Sequence, residues 1–266
     1  MLLRSRVDCA GAMLIAITRA VSPGLANCEL SFMAREEIDL GRAREQHRAY
    51  ERALEGLGAH VISLPAEPDL PDSMFVEDPV IVLDELAVIL PLGTPTRRRE
   101  AESLAKALEP YRRLERVELP GTLEGGDVMR IGREAYVGLS RRTNAEGIRQ
   151  LAAILKPHGY EVISVAVHGC LHLKSAVTYL GRRTLLGNRE KIDTEPLAGY
   201  EWIDVAPEEP NATNALVVGD TVIFPAAFPR TRERIEKCGF KVVALDISEL
   251  QKAESGLTCS SLLFEG

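Results

Sequence analysis

Five side chains capable of covalent or acid–base work stand at the heads of apolar stretches. Cys259 lies in GLTCSSLLF, His172 in HLKSAVTYL, Glu124 in LEGGDVMRI, and Glu77 with Asp78 in FVEDPVIVL. A thiolate is a strong nucleophile near neutral pH. A histidine can give a proton to a leaving group and then take one from water. A carboxylate such as Glu124 can hold and orient that imidazole, the third-group role of nucleophilic triads. Glu77 and Asp78, when ionised, only accept hydrogen bonds. Adjacent acceptors suit a planar multi-donor cation such as a guanidinium, because charge-assisted and bidentate bonds are the strong ones. A divalent metal is the competing use. The nearby sequence offers no obvious third and fourth carboxylate ligand, so no metal and no cofactor are expected.

Each residue alone has a blander reading. A free cysteine usually behaves as a small buried hydrophobe. A lone histidine is more often a satisfied core residue, and EGGD alone could be a turn. The elements that carry these residues decide between the readings. Segments beginning at Phe75, Leu123, His172 and Asn211 align as copies spaced about 45 residues apart, a period typical of propellers and arrays. Each starts with polar residues and continues as an apolar strand, a tight turn and a second apolar strand, which is a hairpin signal. Charged segments with helical spacing follow at Arg98 to Leu108 and Asn144 to Leu155. Short extended pieces close the units: HVISLP, RVELPG, EVISVAV, EWIDVAP and KVVALDIS.

A fifth copy is complete only if it is split between the chain ends. GLTCSSLLF supplies its first strand and MLIAITRA its second. Its helix is Ile38 to Gly56, where Ala43, His47, Tyr50 and Leu54 share a face. The pattern is therefore an α/β fold, a five-bladed propeller of hairpin–helix–strand repeats closed through its two termini. The first strands would line a central channel. Their starts, with Glu77, Asp78, Glu124, Gly125, Gly126, Asp127, His172, Lys174, Asn211, Asn214 and Cys259, would converge at one end.

The bulk properties agree with a globular domain. Apolar residues make up 45% and charged residues 27% of 266, and the net charge of −7 argues against nucleic acid or anionic membranes as partners. Five cysteines without a CxxC pair give no disulfide framework or zinc spacing, which points to a reducing cytoplasm. No apolar run reaches the roughly 18 residues that span a bilayer. Residues 1–12 read as a disordered N-terminal extension rather than a signal peptide, because Arg4, Arg6, Asp8 and Arg19 break the apolar core. Residues 13–266 read as one propeller domain.

FVED, LEGGDV, GLSRRTN, HLKS and the late LTCSS, in this order, resemble the dimethylarginine dimethylaminohydrolases. These belong to the guanidino-group-modifying superfamily with the five-bladed pentein fold. The resemblance runs from Met13 onward. It implies hydrolysis of asymmetric dimethylarginine or monomethylarginine to citrulline and a methylamine, through a covalent thiouronium on Cys259. His172 would serve as acid and then base, with Glu124 as its partner. Glu77 and Asp78 would surround the guanidinium, and Asp72 the α-amine. Arg97 and Arg142 would take the α-carboxylate, and backbone carbonyls near Leu30 and Ala253 the amine. Segment 22–36, SPGLANCELSFMARE, would be a mobile lid. Two forked guanidinium donors suit a free amino acid's carboxylate, although each arginine sits in a basic run that could equally be a solvated helix start.

One position departs from the related arginine deiminases, which carry an aspartate two residues after the histidine. Here it is Lys174. An inward cation would repel a guanidinium, so Lys174 is expected to point elsewhere, and alkylated arginine is favoured over free arginine. Cys170 is expected to pack beneath the site, while His47, His60 and His158 should be solvated. Two alternatives stay open: an arginine or agmatine deiminase or amidinotransferase with the same machinery, and a catalytically silent propeller that only binds. A homodimer is compatible with the sequence.

Overall fold

The computed structural model describes residues 13–266; the expected extension, residues 1–12, lies outside the described residues. The chain starts in β1 (Leu14–Arg19) and runs through α1 (Leu40–Gly56) into β2 (His60–Leu64). The next unit is β3 (Val80–Val82), β4 (Leu86–Ile89), α2 (Ala101–Leu108) and β5 (Arg113–Arg116). Then follow β6 (Val128–Ile131), β7 (Glu134–Leu139), α3 (Ala145–Leu155) and β8 (Glu161–Ala166). The third full unit has β9 (Val177–Gly181), β10 (Thr184–Gly187) and β11 (Glu201–Asp204), with two single 3₁₀ turns where the others have a helix. The last comprises β12 (Leu216–Val218), β13 (Thr221–Pro225), α4 (Pro229–Lys237) and β14 (Lys241–Leu245). A short α5 (Ser248–Gln251) leads to β15 (Leu262–Glu265).

These strands form five three-stranded sheets of one design. In each, an antiparallel hairpin pair is extended by a parallel outer strand that returns through the crossover. The split unit obeys the same rule: β15 pairs antiparallel with β1, and β1 parallel with β2. Alternation of side chains along a strand explains how the sheets pack. Ile15 and Ile17 face the Val80, Ile89 and Leu104 side, whereas Ala16 faces the Ile223, Val218 and Tyr50 side. Five such apolar clusters fill the five gaps between neighbouring sheets, so the ring closes through its termini. The third cluster pairs β9 and β10 with the β6–β8 sheet, and a fourth joins them to β12 and β13. Each fully buried leucine at these gaps, such as Leu151 or Leu104, contributes roughly 2 kcal/mol of burial.

The helices lie where amphipathic spacing requires. Asp39 caps α1 by accepting from the N–H groups of Gly41 and Arg42. Ala43, His47, Tyr50 and Leu54 turn inward together, and Gln46 joins them. Asn144 caps α3 through Gly147 N–H, which pins the preceding Arg142–Thr143 segment. Among the described residues no helix is long and apolar enough to cross a membrane.

Two expectations shift. The outer strand of the first full unit is Arg113–Arg116, not RVELPG. Parallel pairing from Leu86–Arg113 to Ile89–Arg116 uses the charged stretch; charge is usual on an edge strand, and Pro120 has no N–H to continue a ladder. His47 is buried rather than solvated. Its Nε2–H donates to the Arg19 carbonyl at 2.8 Å, and burial lowers its pKa and keeps the ring neutral.

Candidate active site

The starts of the five inner strands meet at one end of the axis. Below them, β3, β6, β9, β12 and β15 line a cavity of about 360 Å³. Above them lies a second cavity of about 350 Å³, lined by Cys259, His172, Glu77, Gly126, Lys174 and Asn214, with Phe32 and Met33 from segment 22–36 at its side. Cys259 and His172 therefore share one cavity although they lie in different units.

The EGGD stretch explains its own composition. Gly125 to Asp127 form a single 3₁₀ turn at the head of β6. A Cβ on Gly125 would sit 1.9 Å from the Glu77 carbonyl oxygen, and one on Gly126 would sit 2.5 Å from His172 Nδ1. Only glycine lets three strand starts pack this closely. Asp127, fully buried, accepts from the Ser140 and Thr143 hydroxyls and from Leu173 N–H, next to His172.

His172 Nε2 lies 2.7 Å from Glu124 Oε2, and both side chains are buried. Burial alone would lower the imidazole pKa. The carboxylates of Asp78, Glu124 and Asp127 outweigh it and raise it to about 9. Burial pushes Glu124 up, but the His172 bond and the charges of His172, Arg97 and Arg142 hold it well below the usual carboxylate range. The pair at rest is imidazolium–carboxylate, with Nε2–H donating. Cys259 is half-buried, and Gly256 N–H donates to its Sγ at 3.4 Å. Burial and the charges of Glu77 and Asp78 push this thiol up to about 12. The Gly256 N–H and the Lys174 charge lower it by less, so Cys259 rests as a thiol.

The carboxylates around Cys259 are not equivalent. Glu77 accepts from the Lys174 ammonium on one oxygen and from the Thr258 hydroxyl, at 2.7 Å, on the other. Lys174 therefore points into the site, contrary to expectation. A carboxylate this buried needs a counter-charge, and Lys174 at the head of β9, two units on, supplies it. Asp78 gives one oxygen to Arg97 Nη1 at 3.0 Å; its other, Oδ1, is buried without a hydrogen-bond partner. Such an atom is costly unless something occupies it. Asp78, Glu124 and His172 are also the described residues whose donor atoms lie within 4.8 Å of one another, as a metal site would need. Two of the three are already hydrogen-bonded to each other, and Arg97 and Arg142 balance their charge.

The remaining expected residues sit beneath segment 22–36. Asp72 accepts from Glu29 N–H. Arg142 donates to Glu124 and, through Nη2, to the Ser31 hydroxyl at 3.0 Å. Arg97 is held by Glu100 through Nε and Nη2, and Asp72 lies 4.0 Å from its Nε. Leu30 and Ala253 pack in the same apolar cluster as Cys259. Neither arginine lines the open cavity, and nor do Asp72, Asp78 and Glu124, which sit in the wall behind the lining residues. Cys170 is buried at the cavity wall and its thiol meets the His172 carbonyl. Glu100 was not anticipated, though its i+3 spacing from Arg97 was a legible cue. Burial raises it to about 7 despite Arg97.

A family model described as N,N dimethylarginine dimethylhydrolase, eukaryotic, matches residues 27–260. The chain is 40% identical over 248 residues to an N(G),N(G)-dimethylarginine dimethylaminohydrolase of Pseudomonas aeruginosa, covering 92% of this chain and 96% of that one. A Streptomyces coelicolor protein of the same name is 38% identical over 248 residues, covering 93% and 95%. A solved Pseudomonas aeruginosa structure, a cysteine-to-serine variant complexed with citrulline, superposes with TM-score 0.90 at 37% identity, over 95% of this chain and all of that one. The N-terminal domain of a cyanobacterial arginine dihydrolase matches at TM-score 0.81 and 19% identity, a likeness of fold alone, over 94% of this chain and 97% of that one.

Proposed function

The chain belongs to the dimethylarginine dimethylaminohydrolase family, and from that premise we infer that it hydrolyses Nω-methylated arginine to citrulline and a methylamine. The observation that carries this reading is the unpartnered Asp78 Oδ1 next to His172, with a thiol that burial and the charges of Glu77 and Asp78 keep protonated. A guanidinium bound there satisfies the orphaned oxygen and cancels the negative field on Cys259. The substrate's own charge thus lowers the thiol pKa and releases the thiolate only when there is something to attack.

The roles follow from that charge logic. With the guanidinium bound, the Cys259 thiol loses its proton to solvent, because His172 is already protonated, and the sulfur adds to the guanidinium carbon. The C–N bond to the methylated nitrogen breaks as His172, protonated at rest, gives its proton to the departing amine. This leaves a cationic S-alkylthiouronium and a neutral imidazole, still held by Glu124. The imidazole takes a proton from water, the hydroxyl adds to the same carbon, and the carbon–sulfur bond breaks as the hydroxyl proton passes to the departing sulfur, which restores the Cys259 thiol and leaves citrulline's ureido group. Asp78 is the guanidinium anchor, and Glu77, neutralised by Lys174, shapes the pocket beside it. Asp72 is assigned to the α-amine. Arg142, whose Nη2 is held by a lid hydroxyl, is the arginine with an end to exchange for the α-carboxylate. Arg97, with Nε and Nη2 on Glu100 and Nη1 on Asp78, acts from behind by fixing Asp78. The carbonyls of Leu30 and Ala253 remain assigned to the amine. No cofactor enters this scheme. Cys28, Cys170, Cys238 and Cys259 are all free thiols, which supports a reducing cytoplasm as the compartment.

The test combines product and label. Citrulline from asymmetric dimethylarginine, with none from arginine and no consumption of agmatine, supports the reading. A haloacetamidine, guanidinium-like at its reactive end, should alkylate Cys259, and dimethylarginine should protect it. Labelling spread over several thiols, or turnover of agmatine but not dimethylarginine, would sink it.

A further inference from the structure

Residues 31–37 are all exposed, yet Phe32 and Met33 form part of the cavity wall. Among the described residues, no N–H group from Glu29 to Ile38 donates to another backbone group. Four of them, those of Glu29, Ser31, Phe32 and Met33, are held by carboxylates instead. Glu29 N–H donates to Asp72. Ser31, Phe32 and Met33 N–H all donate to one side chain, Glu254, at 3.0, 2.5 and 2.6 Å. Successive N–H groups aimed at one point make an anion-binding nest, and the protein fills this one with its own carboxylate. Glu254 holds φ at +56°, a left-handed conformation that a non-glycine residue adopts at a cost. Strain of this kind persists where surrounding contacts require it. The same residue lines the cavity, five positions before Cys259.

We propose that Glu254 is the latch of segment 22–36: its carboxylate, in the nest of residues 31–33, holds the tip closed over the bound substrate. It is a positioning residue and takes no part in bond making. The latch acts on one further group. The Ser31 hydroxyl is the partner of Arg142 Nη2, so the same carboxylate sets where that guanidinium rests. Charge-assisted bonds to backbone N–H groups are strong in a carboxylate, and here they cross between an exposed tip and the turn that precedes the nucleophile.

The proposal rests on the reading that this cavity binds a methylated arginine, but its first readout does not. Glu254→Gly removes the carboxylate and suits the left-handed backbone, so the fold should keep its Tm or gain slightly. Amide hydrogen exchange at residues 31–33 should then quicken by about ten-fold or more, the scale of a lost charged hydrogen bond. Exchange in β1 and α1 should not change. KM for dimethylarginine should rise by about ten-fold while kcat changes less. Glu254→Gln, which keeps an acceptor oxygen, should fall between Glu254→Gly and the parent in both readouts. Unchanged exchange at 31–33 overturns the latch. So does faster exchange spread across the molecule with a lower Tm, which would mark a general structural role. Faster exchange at 31–33 with unchanged KM overturns its action on binding. A protein that fails to turn over dimethylarginine, yet shows the localised exchange change, would fault the substrate and not the latch.

Discussion

The reacting end of the site and the end beneath segment 22–36 are built in opposite ways. At the reacting end, Cys259, His172, Glu124 and Asp78 all stand at strand starts, and the His172–Glu124 pair joins two of them. Glycines at 125 and 126 allow the close approach, and neighbouring sheets lock the geometry. At the other end, Asp72, Arg142 and Glu254 hold a segment without regular strands through exchangeable side-chain bonds. The contrast teaches a division of labour. Chemistry needs groups fixed to fractions of an ångström, whereas admission of substrate needs contacts that can be given up and remade.

The contrast can be broken first at its rigid end. Cys259→Ser should fold with little change in Tm and lose about 10³-fold or more in kcat, as removal of a covalent nucleophile does; citrulline formation under saturating dimethylarginine measures it. Residual activity within ten-fold of the parent would remove Cys259 from the reaction.

Glu124→Gln comes next. It should lower kcat by about 10²-fold and move the alkaline limb of the pH–rate profile downward. The parent's limb belongs near pH 9, where the folded imidazolium titrates. The same pair should show in stability. The raised pKa of His172 means that its contribution is fully present below its ordinary 6.5 and is lost as pH rises through about 9. Denaturant midpoints from pH 6 to 10 should fall across that window in the parent and less in the variant. A limb that stays in place would show that another group titrates.

The smallest expected effect separates the two arginines. Arg142→Ala should raise KM by about ten-fold, the scale of one charge-assisted contact, and lower Tm less than Arg97→Ala does, because Glu124 keeps His172 as a charged partner. Arg97→Ala strips the counter-charge from Asp78 and Glu100 and should cost about 3–5 kcal/mol of stability, read from urea unfolding. Equal effects on KM from both would restore a symmetric clamp.

Much of the fold was legible because its signals are local and repeated. The hairpin turns, the helix faces and the polar strand heads recur at one period. Even the split unit announces itself, since the first strand of a fifth copy is found only at the C-terminus and its second only at the N-terminus. What escaped depends on neighbours distant in the chain. His47 shares an amphipathic face with Tyr50, but its burial needs the Arg19 carbonyl of β1. Lys174 turns inward because Glu77, 97 positions away, is there to meet it. Glu254 shows nothing in sequence to link it to residues 31–33, 221 or more positions earlier.

By itself the sequence determined the residue types, their heads-of-strand positions and the fivefold period, because these rest on patterning and turn chemistry that a chain carries along its length. Only the tertiary structure decided which charge answers which. That Asp78 keeps an unpaired oxygen while Glu77 is neutralised, and that a thiol and an imidazolium share one cavity, follow from distances across the ring. Coulomb energy and desolvation depend on those distances and on burial, and neither is written in spacing along the chain.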